Sequence, residues 1–555
     1  MAGRDGKKIA EEKARWTQKF KTDRSPQVKT DLDIEVDALY TPADLTDVDY
    51  LRDLGFPGEY PFTRGPYPEM SRRRPWRYSV FTGFDSPEET NARWKFLYQS
   101  GQPSFSIVYD LPTHLGLDSD DPRAEGEAGR VGLPLNTVED FDILFADLPM
   151  GAAPFNSNME TLAALIVAFY VAAAQRRGIP IESLQGSISN DPLATAACKG
   201  TAVFPVEAGV RLATDLIEYS TQHLPRFYPI NLKGVNLSEG GANMAQEVGF
   251  TFANGLCYIQ ETLKRGLPID AFAPKLSFFF SSTTHIFEEA AKYRAARRLW
   301  ARLLKERFGA KEPASMALRF TGYACPLWLQ FEEPELNLVR AALAALACAL
   351  GGAQAMPHPG YDEAYAIPTE KSQSLALGTQ QILAEETNIT KAVDPLGGSY
   401  YMEYLTNQLE QKIAQKMKEI EDYGGPMKAI NDGYMQRDVL DYFYRDQEAV
   451  RTGQRVVVRH NKYRLEGEEE PGKKLTLHQP NPEAVERHIT RLRRVRAERD
   501  SSKVQACLKR LRGAAAGKEN VMPHLIEAAT ACATLGEMTG ALKEVFGTFK
   551  EPIVV

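Results

Sequence analysis

The chain has 555 residues, with 43% hydrophobic residues, 25% charged residues and a formal net charge of −7. This composition is that of an ordinary soluble globular protein and argues against wholesale nucleic-acid binding. The six cysteines show no CxxC spacing, so we expect reduced thiols in a cytoplasmic protein, without a zinc site or a disulfide framework. The start of the chain lacks the apolar core of a secretion signal. The longest apolar run, residues 162–174, is shorter than the roughly 20 residues that cross a bilayer.

The first 45 residues are polar and rich in Lys, Asp and Pro, which predicts an N-terminal arm lying on another surface. A frayed terminus is the alternative. From about Trp76, short β-type runs alternate with long helical patterns. The predicted strands are residues 77–83, 104–110, 149–155 (weakly), 185–189, 228–234, 275–280, 316–322 and 353–358.

The intervening stretches favour helices. Ser86 precedes the first, and Glu89 three residues later completes a capping-box pattern. The other predicted helices are residues 161–177, 209–223, 241–264, 286–308 and 335–350. Eight strand–helix alternations predict a parallel (β/α)8 TIM barrel over residues 46–400. A doubly wound open sheet is the alternative architecture.

A mainly helical region is predicted for residues 401–555, beginning with a charged helix at 401–423. Residues 491–510 form a strongly basic stretch that predicts one helix. Basic helices can bind nucleic acid, but acidic residues interrupt this one and aromatic residues are absent from it. We therefore interpret it as a solvated or subunit-facing helix. A final helical pair is predicted within residues 523–549.

Several predicted strands carry small or polar residues where barrel interiors normally carry bulky branched ones. Such residues would leave a polar passage along the barrel axis that a ligand could thread. The alternative is that they simply face the strand ends. They are Ser104, Ser106, Ser187, Ser189, Asn231, Ser277 and Thr321.

An arginine-rich loop, residues 63–77, precedes the first predicted barrel strand. It contains five arginines together with Tyr67 and Trp76. Arginine binds phosphate bidentately and aromatic faces stack on bases, so a phosphorylated nucleotide such as coenzyme A would suit this loop. A solvated basic loop paired with carboxylates is the alternative.

Acid–base machinery is sparse in this sequence. None of the eight histidines lies in an HExxH motif, and neither GxSxG nor a Walker A motif occurs. His114 follows a predicted strand, at the barrel end where active sites lie, but a structural histidine is more common. Asp118, Asp120 and Asp121 could bind a hard cation or form a solvated turn. A cofactor that carries the difficult chemical step would fit this pattern.

Motifs spread over almost the whole chain resemble the methylmalonyl-CoA mutase family. They are YPFTRGPYP (60–68), RPW (74–76), GF (83–84), YDLPTH (109–114), DSDDPR (118–123), FAPKLSFFF (272–280), YDEAYAIPTE (361–370), DPLGGSYY (394–401) and RAERD (496–500). The length and the PLGGSYY segment are most similar to the large subunits of isobutyryl-CoA and 2-hydroxyisobutyryl-CoA mutases.

The resemblance implies an isomerase: a barrel that threads coenzyme A along its axis and catalyses radical carbon-skeleton rearrangement with adenosylcobalamin. The family's DxHxxG cobalamin signature is absent from this sequence; the nearest string is DLPTHLG at 110–116. A separate small subunit is therefore expected to supply the cobalamin domain, in a cytoplasmic hetero-oligomer. The N-terminal arm is a candidate for docking that subunit.

The resemblance also implies roles for individual residues. Coenzyme A contacts are expected from Tyr67, Met70 and Arg74, and pantetheine or phosphate contacts from Ser106, Ser277 and Lys275, the last in place of an arginine. Gln354 matches a glutamine near the cofactor, and Glu363 matches the acid that holds the adenosyl ribose. Phe81 matches isobutyryl-specific enzymes, which have phenylalanine where methylmalonyl-specific ones have tyrosine. Lys199 stands where isobutyryl-specific enzymes have glutamine and methylmalonyl-specific enzymes have arginine.

Several positions depart from the family pattern. Asn236 replaces the histidine that hydrogen-bonds the thioester carbonyl, and an amide can donate a hydrogen bond but cannot act as a general acid. Ser189 and Tyr323 replace two glutamines of the pocket. Val235 replaces a tyrosine that helps to displace the adenosyl group, and Pro359 replaces an asparagine near the ribose.

We therefore expect an acyl-CoA mutase acting on a short branched acyl group like that of methylmalonyl-, isobutyryl- or 2-hydroxyisobutyryl-CoA. The alternatives are a catalytically altered acyl-CoA-binding barrel with a regulatory or scaffolding role, and an unrelated barrel enzyme. Neither a metal-ion site nor a membrane or nucleic-acid partner is expected.

Overall fold

The computed structural model describes residues 6–20, 28–464 and 475–553. Its strands are β1 (Val28–Lys29), β2 (Glu35–Val36), β3 (Arg77–Ser79), β4 (Phe105–Val108), β5 (Phe155–Asn158), β6 (Gln185–Ile188), β7 (Arg226–Tyr228), β8 (Ile230–Lys233), β9 (Leu276–Ser282), β10 (Phe320–Ala324) and β11 (Ala355–Pro357). Its helices are α1 (Gly6–Phe20), α2 (Pro87–Gln99), α3 (Leu111–His114), α4 (Val138–Leu144), α5 (Ala163–Arg176), α6 (Pro192–Cys198), α7 (Val206–His223), α8 (Gly234–Glu239), α9 (Met244–Lys264), α10 (Ile269–Phe272), α11 (Ile286–Phe308), α12 (Pro313–Met316), α13 (Leu336–Leu350), α14 (Glu370–Glu385), α15 (Tyr400–Tyr423), α16 (Pro426–Asn431), α17 (Tyr434–Arg451), α18 (Pro482–Glu498), α19 (Ser501–Ala516), α20 (Met522–Thr530) and α21 (Leu535–Phe546).

Strands β3 to β11 form two parallel sheets, with the orders β3-β11-β10-β9-β8 and β4-β5-β6-β7. Single backbone hydrogen bonds join the sheets at both edges. Val108 N donates to Thr82 O at 2.7 Å, and Asn231 N donates to Ser189 O at 3.0 Å. The strands thus follow the order of a (β/α)8 barrel, although the ladder of paired strands is interrupted at two seams.

Each seam has a local cause in the sequence. Pro229 lies between β7 and β8 and lacks the backbone N–H that would continue the ladder. At the other seam Gly83 has φ 138°, and a Cβ there would collide with Val108 O. The chain can therefore cross close to β4 only with glycine at this position.

Two large hydrophobic cores flank the strands. One lies between β8–β11 and helices α9, α11 and α15. The other lies between β4–β6, the almost entirely buried α5, and α19–α21. The helices after residue 400 therefore pack directly on the barrel and bury its outer helices.

Most predicted elements are present with shifted ends, and several need correction. The strand expected at 149–155 is β5 at 155–158, since a tight turn with a Met150–Ala153 bridge occupies the earlier segment. The strand expected at 316–322 begins only at Phe320. The helix expected at 241–264 is α9, which begins only at Met244 because Asn243 caps it.

The basic stretch 491–510 contains parts of two helices, α18 and α19, rather than one. Asp500 is the N-cap of α19, because its side chain accepts a hydrogen bond from Lys503 N at 2.9 Å. Within the arm predicted for residues 1–45, the described part contains α1 and the small antiparallel β1–β2 sheet. Among the helices described, none is both long and apolar enough to span a membrane.

Candidate active site

A cavity of about 490 Å³ opens at the carboxyl ends of the barrel strands. In barrel enzymes this end carries the active site. Its lining comes from the segments that follow successive strands. The lining residues include Phe81, His114, Asn158, Glu160, Lys199, Lys233, Val235, Asn236, Glu239, Phe279, Tyr323, His358 and Glu363.

An ion pair forms one wall of this cavity. Lys199 Nζ lies 3.1 and 3.0 Å from the two carboxylate oxygens of Glu160, whose side chain is only 1% exposed. Burial alone would raise the pKa of Glu160, but Lys199, His114 and Lys233 together lower it to about 2. Glu160 is therefore ionised at neutral pH and neutralises Lys199.

Lys233 lies at the end of β8, beside this ion pair. Its Nζ donates to Asn158 Oδ1 at 2.6 Å and sits 3.9 Å from the centre of the Phe279 ring. Burial lowers the pKa of Lys233 to about 7. Burial, and secondarily Lys199, also lowers the pKa of His114 to about 3, so His114 is neutral at pH 7.

The opposite wall is aromatic and aliphatic. Val235, Phe279 and Tyr323 are buried together, and Phe81 packs against them. The ring centres of Phe81 and Tyr323 are 5.2 Å apart with the rings nearly perpendicular. Such a wall excludes water from one side of a bound acyl group.

Two buried polar atoms in this lining have no hydrogen-bond partner among the described residues: Asn236 Nδ2 and His358 Nε2. Asn236 is 6% exposed and His358 is 2% exposed. Buried polar atoms are normally paired, so the amide donor of Asn236 and the ring nitrogen of His358 are available to a ligand in the cavity.

Glu363 closes the cavity next to β11. Its carboxylate accepts from Tyr323 Oη at 3.1 Å and from Gly360 N at 2.9 Å. Burial raises the pKa of Glu363 to about 7 and raises that of Tyr323 well above its ordinary value. Below about pH 7 the Glu363 carboxyl group is therefore protonated, as is the Tyr323 hydroxyl group, and both present hydrogen-bonding oxygens to the cavity.

A narrow polar passage continues from this cavity along the barrel axis. Its lining includes Ser106, Ser187, Ser189 and Asn231. Ser106 Oγ and Ser79 Oγ are 2.8 Å apart. These small side chains leave space where bulky residues would fill the barrel.

The passage reaches a second cavity, of about 220 Å³, at the amino ends of the strands. Arg77, Arg226 and Arg319 line this mouth with Tyr67, Ser277 and Gln354, and none of the described residues that line it is acidic. Arg226 donates to Gln185 Oε1 at 2.9 Å. The mouth is therefore strongly cationic and suits a phosphorylated ligand.

The family model for methylmalonyl-CoA mutase matches residues 29–548. The chain belongs to this family. It is 42% identical to the 2-hydroxyisobutanoyl-CoA mutase large subunit of Aquincola tertiaricarbonis, over 95% of this chain and 94% of that protein. It is 39% identical to methylmalonyl-CoA mutase of Rhizobium meliloti (strain 1021) and 37% identical to the mitochondrial enzyme of Homo sapiens. Those matches cover 93% of this chain, and 72% and 68% of the two relatives.

This mutase family consists of isomerases and implies a cobalamin cofactor. Five of the residues that sequence reasoning selected converge on the large cavity. They are Phe81, Lys199, Asn236, Tyr323 and Glu363. Ser106 and Ser189 lie in the axial passage, and Tyr67 and Ser277 at the amino-end mouth.

Other selected residues lie elsewhere. Gln354 precedes β11 and lines the amino-end mouth, so the structure does not place it near Glu363. Arg74 is exposed and Met70 is partly buried in the loop before β3. Lys275 Nζ donates to Ser220 O at 2.9 Å and Leu224 O at 3.2 Å, so it caps the end of α7.

The Asp118–Asp121 cluster is not an empty cation site. Arg496 pairs with Asp118 and Asp120 at 2.6 Å each, and Asp121 pairs with Arg123 at 2.8 Å. Among the described residues, no group of acidic, histidine and cysteine side chains could hold a metal ion. Arg496 thus joins the DSDDPR and RAERD motifs across the fold.

Sequence reasoning missed Glu160, Lys233, His358, Arg226 and Arg319. Lys233 ends a strand and Glu160 follows one, which is the position where barrel enzymes place reactive groups. That positional rule is the signal that could have found these two. The arginines precede their strands or begin them, and only the assembled barrel shows that they share one mouth.

Proposed function

We propose that this chain is the large subunit of an adenosylcobalamin-dependent acyl-CoA mutase that rearranges the carbon skeleton of a short branched acyl group. The observation that supports this most strongly is the polar passage between a cationic mouth and a cavity suited to reaction. A coenzyme A ester is a ligand with a phosphorylated end, a long polar arm and a reactive acyl end. We also place the protein in the cytoplasm, as its free cysteines suggest.

At the amino-end mouth, Arg77, Arg226 and Arg319 bind the phosphates and Tyr67 stacks on the adenine. Gln354 and Ser277 border the entry of the pantetheine arm, which then passes Ser106 and Ser189. This binding orients the acyl group and contributes the same binding free energy for every acyl chain. We keep Met70 and Arg74 as proposed contacts of coenzyme A. Lys275 is a proposed indirect contact, because its ammonium group holds the end of α7.

At the carboxyl-end cavity, Asn236 Nδ2 donates a hydrogen bond to the thioester carbonyl. The carbonyl takes the place of the partner that this buried donor lacks among the described residues. The apolar wall of Phe81, Val235 and Phe279 shapes the space for the branched acyl chain and excludes water. Lys199 and its ion pair with Glu160 form the polar boundary of that space.

The cavity residues fit the nucleoside part of the cofactor. The Glu363 carboxyl group would bind ribose hydroxyls, and His358 Nε2 supplies a buried polar atom without a partner in the described part of the chain. Bound adenosylcobalamin supplies the radical chemistry. Pro359 and Val235 offer no polar atom of their own side chains, so Glu363, Tyr323 and His358 would provide the polar contacts.

We propose that a separate small subunit carries the cobalamin domain, in a hetero-oligomer. One relative is named as a large subunit and matches the present chain nearly end to end, whereas the mutases of Rhizobium meliloti and Homo sapiens are longer than the matched region. We further propose residues 46–400 as the acyl-CoA-binding barrel, 401–555 as a helical region that supports it, and the arm 1–45 as a docking element for the small subunit.

The test is an anaerobic assay with the cognate small subunit and adenosylcobalamin. Branched, hydroxylated and dicarboxylic acyl-CoA esters would be offered, and isomers followed by mass-resolved chromatography. Isomerisation of one ester is the expected result. Tight binding of the esters without turnover or cobalt–carbon cleavage would instead establish a binding barrel with a regulatory or scaffolding role.

A further inference from the structure

Lys233 is a buried lysine whose ammonium group contacts no carboxylate among the described residues. The residue is 3% exposed, and no carboxylate of the described residues lies within 4 Å of its Nζ. Its neighbours within contact distance are neutral: the amide oxygen of Asn158 and the face of the Phe279 ring. An uncompensated ammonium in a buried site is costly unless a ligand supplies the missing charge.

The neighbouring lysine is in the opposite state. Both oxygens of Glu160 already contact Lys199 Nζ, and this carboxylate stays ionised far below neutral pH. A second anion approaching Lys199 would therefore meet the negative charge of Glu160. Of the two lysines that line the cavity, Lys233 has the unused charge.

Three carboxylates act on Lys233 only from a distance: Glu160, Glu239 and Asp191 raise its pKa without contacting Nζ. Glu239 is exposed at the cavity rim, and His114 is neutral at pH 7. Asp191 accepts from the backbone N–H of Lys233 at 2.9 Å and from the Tyr258 hydroxyl at 2.8 Å, so its carboxylate is bound away from Nζ.

We propose that Lys233 determines substrate specificity by binding a carboxylate at the far end of the acyl group, so that the substrate is a coenzyme A ester of a dicarboxylic acid. This inference rests on the proposed acyl-CoA function. Lys233 ends β8 and Asn236 lies in the first turn of α8, three residues later, and both line the same cavity. The thioester carbonyl and the distal carboxylate can thus be bound from one short segment.

The geometry also distinguishes a carboxylate from a hydroxyl group. A hydroxyl would accept a hydrogen bond from Lys233 but leave its charge uncompensated. A carboxylate forms a charge-assisted hydrogen bond and completes the charge balance. The aromatic wall below Lys233 then packs against the carbon atoms between the two ends.

The experiment measures binding of succinyl-CoA and butyryl-CoA to the full chain, which needs no cofactor. The two esters have the same four-carbon acyl length and differ in the distal carboxylate. Wild-type protein should bind succinyl-CoA more tightly, and Lys233→Met should weaken that binding roughly 10- to 100-fold while changing butyryl-CoA binding less than about threefold. The preference should also diminish above pH 7, where Lys233 loses its proton.

Lys199→Gln is the comparison variant, because it removes the lysine that Glu160 already neutralises. It should shift the preference for succinyl-CoA by less than Lys233→Met does. Thermal unfolding of each variant checks that the barrel is intact. Equal losses for both esters in Lys233→Met, or a larger loss of preference in Lys199→Gln, would overturn the assignment. Failure of the wild type to bind either ester would instead contradict the acyl-CoA function itself.

Discussion

The two mouths of the barrel differ in how their charges are arranged. At the amino end, three arginines line an opening that has no acidic residue within the described part of the chain. At the carboxyl end, lysines, glutamates and a histidine are packed against an aromatic wall, and several have displaced pKa values. A uniformly cationic mouth suits the phosphates of coenzyme A, which are the same in every ester. A site with charges of both signs suits the acyl group, which varies, and the reaction itself.

The most damaging change at the carboxyl-end mouth should be Asn236→Ala. Loss of the donor to the thioester carbonyl should lower kcat/KM by roughly 100-fold, while binding of coenzyme A itself stays unchanged. Steady-state kinetics with the reconstituted enzyme measure this change. Asn236→His, which restores the family's residue, should retain activity. An active Asn236→Ala variant would show that the carbonyl is bound by another group.

The pH dependence of the free energy of unfolding tests the protonation state of Glu363 at the same mouth. Because burial raises its pKa to about 7, the folded chain holds a proton that the unfolded chain releases near pH 4.5. The free energy of unfolding should therefore fall by about 2 kcal/mol as pH rises from 4.5 to 7. In Glu363→Gln this part of the decline should disappear.

Denaturant unfolding at a series of pH values measures the effect. The matched control is Glu386→Gln at the exposed end of α14, which should follow the wild type. Parallel curves for wild type and Glu363→Gln would contradict the buried, protonated state of this carboxyl group.

At the amino-end mouth, Arg319→Met should weaken binding of coenzyme A and of every acyl-CoA ester by the same factor, about tenfold. The loss should shrink at high ionic strength, because salt screens the attraction that the arginine provides. Calorimetry over a salt series measures both effects. Arg510→Met, which removes an exposed arginine of α19, is the control. A loss of affinity that depends on the acyl group would contradict the assignment of this mouth to the coenzyme A phosphates.

The smallest expected effect concerns the loop beside the carboxyl-end mouth. Arg496→Met removes the partner of Asp118 and Asp120 and should lower the free energy of unfolding by about 1 kcal/mol, since Asp118 keeps its bonds to Thr534 and Gly536. A chelator should leave stability unchanged. A chelator-dependent loss would show that the acidic loop binds a cation after all.

The barrel was predictable because strand–helix alternation is a local property of the sequence. The errors arose where local signals conflict with packing. Pro229 interrupts the strand expected at 228–234, so that β8 begins only at Ile230. The weak strand expected at 149–155 is β5 at 155–158, which lines the polar passage, because a tight turn occupies the earlier segment. Periodicity reports a buried face, and a strand that lines such a passage does not show one.

The candidate site was predictable only in part. Phe81, Asn236 and Tyr323 were selected from the family resemblance, and the structure brings them to one cavity. The states of Lys199 and Lys233 could not be read from the sequence, because Glu160 comes from a different strand segment and decides which lysine is neutralised. Pairing between distant charges depends on the assembled barrel.

The proposed function is tested most directly by a crystal structure of the chain with a nonhydrolysable thioether analogue of an acyl-CoA. We expect the phosphates at Arg77, Arg226 and Arg319, the pantetheine arm in the passage past Ser106, and the acyl end beside Asn236. An analogue bound on the outer surface, or entering from the carboxyl-end mouth, would contradict the assignment of the two mouths and with it the proposed function.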